Sequence, residues 1–325
     1  VAGQSRGGNL PLLLLFAGLG FLLCLTQAFG ISPDLEQYEV FFDTLREGGL
    51  QAVQGRRFEG GFTLLSYWLT RGLSSNLMLI GVLAFACMLA KAWALDTVSG
   101  TRAVLVALCA YYLLRVFPLH ELTQLRISIA IAFLLLAQIA VWSDRRMLAL
   151  LACALALSFH TSAVAAMPFL FLQPVTRWKA LLLALAVFLL TRIQLASMLN
   201  MAGDVLTPVE LYQKSGYGDR AANPVSLALL LDWSMLLFAL LRWKQLSVFA
   251  RRALLLPLLG LALYYGAMSY PVVAHRLFEM FSVFWLFFLA GALAQPATRL
   301  AAAGFMLVSG GWYSYIYIFS DRVFK

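Results

Sequence analysis

Residues 147–172 read MLALLACALALSFHTSAVAAMPFLFL, an apolar run interrupted at Phe159, His160 and Thr161. Two readings give two topologies. As one long helix the run carries the chain across a membrane; as two short helices broken at His160 it returns the chain to the face it started from. Arg145 and Arg146 stand just before it, Arg177 and Lys179 just after it, and the segment 242–252 holds Arg242, Lys244, Arg251 and Arg252. Basic loops stay on the cytoplasmic side, and all three do so only if 147–172 returns. The pattern therefore predicts a broken or re-entrant pair with His160 near its tip. Irregular backbone at that depth is tolerated only inside protein or beside a watery cavity, so His160 is expected to line one.

Working outward, the chain is 62% hydrophobic over 325 residues, with a mean hydropathy of +0.84. Apolar segments of helix length recur near 10–30, 76–95, 102–118, 126–142, 147–172, 179–198, 225–241, 253–270, 277–294 and 300–319. Strand-length alternation of the outer-membrane barrel kind is absent. The expected fold is an all-α polytopic membrane protein of about 10 transmembrane helices, forming one domain over residues 1–325. The apolar core of residues 10–30 is longer than a signal h-region despite a cleavage-like Thr26-Gln27-Ala28, so a retained first span is expected. With the N-terminus cytoplasmic, segments 31–75 and 199–224 become periplasmic loop regions. In the first, Leu35, Tyr38, Phe41, Phe42 and Leu45 recur at helical spacing, an amphipathic helix suited to the interface. Tyr67 and Trp68 on a second helix suit the headgroup level, and the glycines of 199–224 suggest a loop over a site.

The net charge of +9 reads as positive-inside loops and contact with anionic membrane lipids. Nucleic acid is excluded as a partner because the basic residues are scattered among loops. Cys24, Cys87, Cys109 and Cys153 all lie inside apolar runs with no CxxC pair, so neither a disulfide framework nor a zinc site is indicated. The chain has no P-loop, no HExxH and no GxSxG, which disfavours an ATP-driven pump, a zinc protease and a serine hydrolase.

What remains is a set of ionisable residues placed outward by this topology: Asp34, Glu36, Glu59, His120, Glu121, Arg126, His160, His275, Arg276 and Glu279. Ionisable groups at membrane depth cost about 2.5–3.5 kcal/mol on insertion scales and mark candidate sites. Arg126 opens an apolar helix where the macrodipole favours anions, so backbone N–H groups and a fixed cation would together suit a phosphate. Arg276 also begins an outer-side span, and two such arginines make a diphosphate clamp. Glu59, before Gly60-Gly61, is a carboxylate able to act as general base toward a sugar hydroxyl, and His160 is the rival candidate. Each has a plainer reading: a snorkelling arginine, a helix-start charge, a capping histidine, an Arg276–Glu279 ion pair that only aids packing.

Taken in order, these pieces resemble the EpsG-like group of exopolysaccharide polymerases, related to the Wzy-type O-antigen polymerases. Asp34-x-x-x-Tyr38-x-x-x-Phe42 is similar to the family's acidic and aromatic segment after the first span. Glu59-Gly-Gly-Phe62 is similar to its Glu-x-Gly-aromatic segment, and Gln124-x-Arg126-x-x-x-Ala130 to its arginine motif. Phe159-His-Thr-Ser-Ala163 is similar to its His-x-Ser-Ala motif, and His275-Arg-Leu-Phe-Glu-Met-Phe281 to its late arginine-aromatic segment. Leu35 stands where the family often has an aromatic residue, and Glu279 or Met280 where it often has tyrosine.

The resemblance implies a GT-C-like glycosyltransferase of the bacterial inner membrane with its active site facing the periplasm. It would extend a glycan by joining repeat units carried on undecaprenyl diphosphate, with no metal and no cofactor. The expected partners are that lipid-linked oligosaccharide and membrane lipids, with a chain-length regulator protein as a candidate. On this reading Glu59, His160 and Arg126 are catalytic. Arg276, Gln124, Tyr38, Asp34, His120, Tyr217 and Glu279 bind substrate, Tyr38 and Tyr217 by stacking on sugars as Trp68 would. The alternatives are a flippase or transporter for the lipid-linked oligosaccharide and an O-antigen ligase-type transferase.

Overall fold

The computed structural model of the chain describes residues 8–26, 33–54, 58–172, 176–201 and 222–319. Among them the regular structure is helical throughout. The chain forms two compact units, Val1–Phe171 with Ala303–Lys325, and Leu172–Ala302.

The first unit begins with α1 (Leu10–Leu25), which packs along α4 (Asn76–Ser99). Asn9 Nδ2 donates to Asp96 Oδ1 at 2.7 Å, tying the start of α1 to the last turn of α4, so the two run antiparallel. Local chemistry sets the limits of α4. The Ser75 hydroxyl caps its start by accepting from the Met78 N–H at 3.3 Å, and Gly100 ends it at φ +68°. The Thr101 hydroxyl then caps α5 (Arg102–Arg115) in the same way, by accepting from the Val104 N–H at 3.3 Å.

Between α1 and α4 lie α2 (Pro33–Gly48) and α3 (Gly60–Gly72). The apolar stripe of α2 was expected to lie on the membrane interface; instead Leu35, Tyr38, Phe41, Phe42 and Leu45 are all buried. Tyr38, Phe41 and Phe42 meet Phe58 and Phe62 at the start of α3, with the Phe41 and Phe58 ring centroids 4.0 Å apart and Tyr38 5.6 Å from Phe62. Burying several aromatics against one another outweighs spreading one face over lipid headgroups. Asp43 on the opposite face accepts from Asn76 Nδ2 at 2.9 Å, which fastens α2 to the start of α4.

The centre of this unit is α7 (Leu125–Trp142), reached from α5 through the single turn α6 (Phe117–His120). It packs against both α4 and α8 (Arg146–Phe159), and Asp144, at φ +56°, makes the corner between α7 and α8. The buried stripe of α8 is small: Ala149, Cys153 and Ala156 let the two backbones approach. Its outer face is Met147, Leu148, Leu150 and Leu151, with Met147 77% exposed. The helix stops at Phe159. His160 is extended (φ −157°, ψ 123°), a 3-10 turn covers Thr161–Ala165, and α9 (Met167–Leu170) follows. Residues 147–172 are therefore a broken helix, with His160 at the break.

The second unit holds α10 (Arg177–Met201), α11 (Leu227–Leu241), α12 (Val248–Ala253), α13 (Leu255–Gly266), α14 (Pro271–Ser282) and α15 (Trp285–Leu293). Here α13 packs on α14 and on α10. The last helix, α16 (Pro296–Ser314), contains the boundary at Ala302 between the two units. Most of the expected 199–224 loop, with Tyr217, lies outside the described residues.

Among the described residues, Asn76–Ser99, Leu125–Trp142, Val248–Gly266 and Pro271–Leu293 are long and apolar enough to cross a membrane. Leu10–Leu25, Arg146–Phe159 and Leu227–Leu241 are shorter apolar helices. Expanses of leucine and methionine stand exposed on helix faces, Leu15 at 70% and Leu182 at 64% among them. Such surface marks a protein solvated by lipid. The chain is a membrane protein.

Candidate functional site

Three sequence segments widely spaced along the chain meet in the first unit, at the starts of α3 and α7 and the end of α8. Glu59 is the N-cap residue of α3, in an extended conformation (φ −65°, ψ 151°), but its carboxylate makes no capping bond to that helix. Instead its Oε2 lies 2.6 Å from Arg126 Nη1. Its Oε1 accepts from the backbone N–H of Thr161 at 3.3 Å. One carboxylate thus joins the first turn of α7 to the break after α8.

The close fit has a visible steric cause. A Cβ at Gly61 would sit 2.5 Å from Ser158 Oγ and 2.7 Å from the Ser158 carbonyl oxygen. Only glycine lets the start of α3 approach the last turn of α8 this closely.

Arg126 is mostly buried, its side chain 19% exposed, and Glu59 13%. The guanidinium lies 4.7 Å from the centroid of the Phe58 ring. Burial pushes the Tyr38 phenol above its ordinary pKa, against the pull of Arg126, so Tyr38 stays neutral near pH 7. Glu59 is a formal countercharge to Arg126 in this group. Ion pair and cation–π contact together hold a cation at a helix start, where the macrodipole opposes it.

His160 is buried and caps the 3-10 turn. Its Nδ1 accepts from the Ser162 N–H at 3.2 Å, and the Ser162 hydroxyl lies 2.6 Å from the same nitrogen. A backbone N–H can only donate, so Nδ1 is the unprotonated nitrogen and the neutral ring carries its hydrogen on Nε2. In this arrangement the imidazole offers a donor.

The other expected residues fall out as follows. Asp34 is half-buried in the first turn of α2, and Gln124 is the N-cap residue of α7 without a side-chain capping bond. Tyr38 belongs to the group but is buried in the aromatic cluster, so the idea that its ring stacks openly on a sugar is corrected. Trp68 is 66% exposed and keeps that capacity. His120 and Glu121, expected to face outward, are both buried, because the α6 turn folds them against α4 and α5. Arg276 and Glu279 lie half-buried one turn apart on α14, in the second unit. Tyr217 lies outside the described residues.

Three features went unread in the sequence. Phe58 supplies the ring beneath Arg126. Lys91, wholly buried in α4, donates to Glu121 Oε1 at 2.7 Å, to Ser128 Oγ at 2.8 Å and to the Tyr112 hydroxyl at 2.9 Å. Arg115, also buried, donates to the Tyr111 hydroxyl at 2.6 Å and lies 4.5 Å from the Tyr313 ring centroid. Lys91 interrupts an apolar helix and Arg115 ends one, the same kind of signal that singled out Arg126.

Comparison with known families supplies the remaining fact. No curated protein and no solved structure matches the chain. A family model described as the EpsG family matches residues 11–324. That match takes in Tyr38, Glu59, Arg126 and His160 and nearly everything that positions them, and the chain belongs to the EpsG family.

Proposed function

We propose that this protein is a polysaccharide polymerase of the bacterial inner membrane, extending a glycan from repeat units carried on a polyprenyl diphosphate at the periplasmic face. Family membership suggests a polysaccharide-polymerase-like role. The observation that carries the chemical part is the Glu59–Arg126 pair, held at 2.6 Å between the start of α7 and the His160 break. It puts an anion-binding cation, helix N–H groups and a carboxylate within one small group.

In the proposed reaction the bond between the anomeric carbon and the diphosphate oxygen breaks, and that oxygen keeps the electron pair. The acceptor hydroxyl oxygen forms the new bond and gives up its proton. Arg126 and the first N–H groups of α7 take the charge gained by the diphosphate. Glu59 takes the proton. Because His160 Nδ1 is occupied as an acceptor, His160 acts through its Nε2 hydrogen as a donor, and the base is Glu59.

Without substrate, Glu59 and Arg126 neutralise each other. A diphosphate brings more negative charge to the guanidinium than one carboxylate does, so its arrival releases Glu59 toward the acceptor. Binding and activation of the base are then one event.

The test is elongation by the purified protein in lipid vesicles, supplied with polyprenyl-diphosphate-linked repeat units. A ladder of longer glycans is expected, collapsing to single units in Arg126→Ala. Translocation of the lipid-linked unit without longer products would identify a transporter instead. Long glycan moved onto a different lipid acceptor would identify a ligase.

A further inference from the structure

The Lys91 cluster has no part in the proposed chemistry, yet its attachments surround the residue that does. Lys91 is the sixteenth residue of α4, about 22 Å along a helix long enough to cross the membrane. An ammonium placed there is retained only with partners, and the described contacts are Glu121, Tyr112 and Ser128. The Tyr112 hydroxyl also donates to the same Glu121 oxygen. All four residues, Lys91, Tyr112, Glu121 and Ser128, are wholly inaccessible.

What the ammonium joins matters more than its own burial. Glu121 lies five residues before Arg126 and Ser128 two residues after it. The intervening backbone turns from α6 into α7: the Gln124 N–H donates to Leu119 O at 3.1 Å, and the Ser128 N–H to Gln124 O at 2.9 Å. One cation on α4 therefore grips the segment carrying Arg126 on both sides, while Tyr112 ties the same point to α5.

We propose that Lys91 is a positioning residue for Arg126: its bonds to Glu121 and Ser128 fix the first turn of α7 so that the guanidinium stands ready for the diphosphate. The inference rests on the functional reading above for its kinetic consequence, but not for its structural one. A catalytic group displaced by about 1 Å loses on the order of 100-fold in rate, so the anchor is worth keeping buried charge for.

The experiment replaces the whole cluster with apolar residues of similar shape, Lys91→Met, Tyr112→Phe, Glu121→Leu and Ser128→Ala, leaving no partner orphaned. Exchanging a complete buried ionic group for packed apolar side chains is commonly tolerated, so this variant is expected to fold. Amide hydrogen exchange at residues 128–131 should then accelerate at least about 10-fold while α1 and α4 keep their protection. Elongation at saturating donor should fall about 10- to 100-fold with little change in KM for the acceptor. Added to Arg126→Lys, the fourfold change should cost nothing further, because both act through one group. Native exchange at residues 128–131 overturns the proposal, and so does a rate loss that multiplies fully with Arg126→Lys. If the native protein elongates nothing, the functional reading fails and the exchange measurement alone decides the positioning role. Should the fourfold variant not fold, Ser128→Ala removes the bond from Lys91 to α7. Faster exchange at residues 128–131 in it supports the anchor, and unchanged exchange refutes it.

Discussion

Glu59 is asked to do two things at once: neutralise Arg126 and satisfy the Thr161 N–H. Substitutions separate the charge from the shape. Glu59→Gln keeps the size and one acceptor oxygen but loses the proton acceptor. General-base catalysis contributes roughly 10²- to 10⁴-fold, so elongation by Glu59→Gln should fall by about that factor with the fold intact, read as turnover on synthetic lipid-linked units. Arg126→Lys should fall nearly as far. An ammonium cannot present the planar fork that grips a diphosphate through two parallel bonds. Arg126 and His160 could be singled out from the sequence because each interrupts an apolar run, which is a local property. Their mutual proximity through Glu59 was not legible, since it depends on a contact between residues 59 and 126 that no periodicity encodes. Lys91 carried the same local signal as Arg126 but lay outside the set the topology placed outward. Its partner Glu121 is 30 positions away, readable only once α4 and α7 are known to pack together.

At the scale of elements, the broken helix is the decisive one. Charge arithmetic required residues 147–172 to return, and the chain does break at His160, where an extended residue separates α8 from a 3-10 turn. Structure and chemistry at this break can be distinguished by His160→Asn. Asparagine is among the best N-cap residues, so the turn should survive while the imidazole donor is lost. His160→Asn is expected to unfold within a few degrees of native and to elongate at least about 10-fold more slowly; native elongation would reduce His160 to a cap. A second test concerns the approach of α3 to α8. Gly61→Ala places a methyl group against Ser158 oxygens at 2.5 and 2.7 Å, so the two helix ends must separate. A stability loss of about 1–3 kcal/mol is expected from thermal unfolding, together with slower elongation as Glu59 is drawn away from Arg126. Removing the Ser158 hydroxyl as well should restore only part of either, because the carbonyl oxygen remains. The amphipathic reading of α2 identified the buried stripe correctly but assigned it the wrong neighbour. Hydrophobic spacing tells which face is hidden, whereas lipid and Phe62 are equally apolar to it.

At the scale of the molecule, leucine-rich faces stand exposed around an interior that is itself apolar and holds only a few charges, where a water-soluble domain would present a polar surface. Polar groups with partners, such as Lys91 with Glu121, lie inside, while leucine-rich helix faces point outward. If lipid is the solvent, the cost of an outward substitution must follow membrane rules. Ala86 provides a clean probe, being exposed near the midpoint of the 24-residue α4. On a surface bathed by water, Ala86→Arg would change stability by less than about 0.5 kcal/mol. At the centre of a membrane-crossing helix the same change costs about 2.5–3.5 kcal/mol on insertion scales, whereas Ala86→Leu is favourable. The arginine variant should therefore show a marked drop in the fraction resisting alkaline extraction from membranes, and the leucine variant none. Equal extraction of both would mean that α4 does not cross the bilayer. It would also remove the reason for reading Lys91, fifteen residues into that helix, as a charge held at membrane depth.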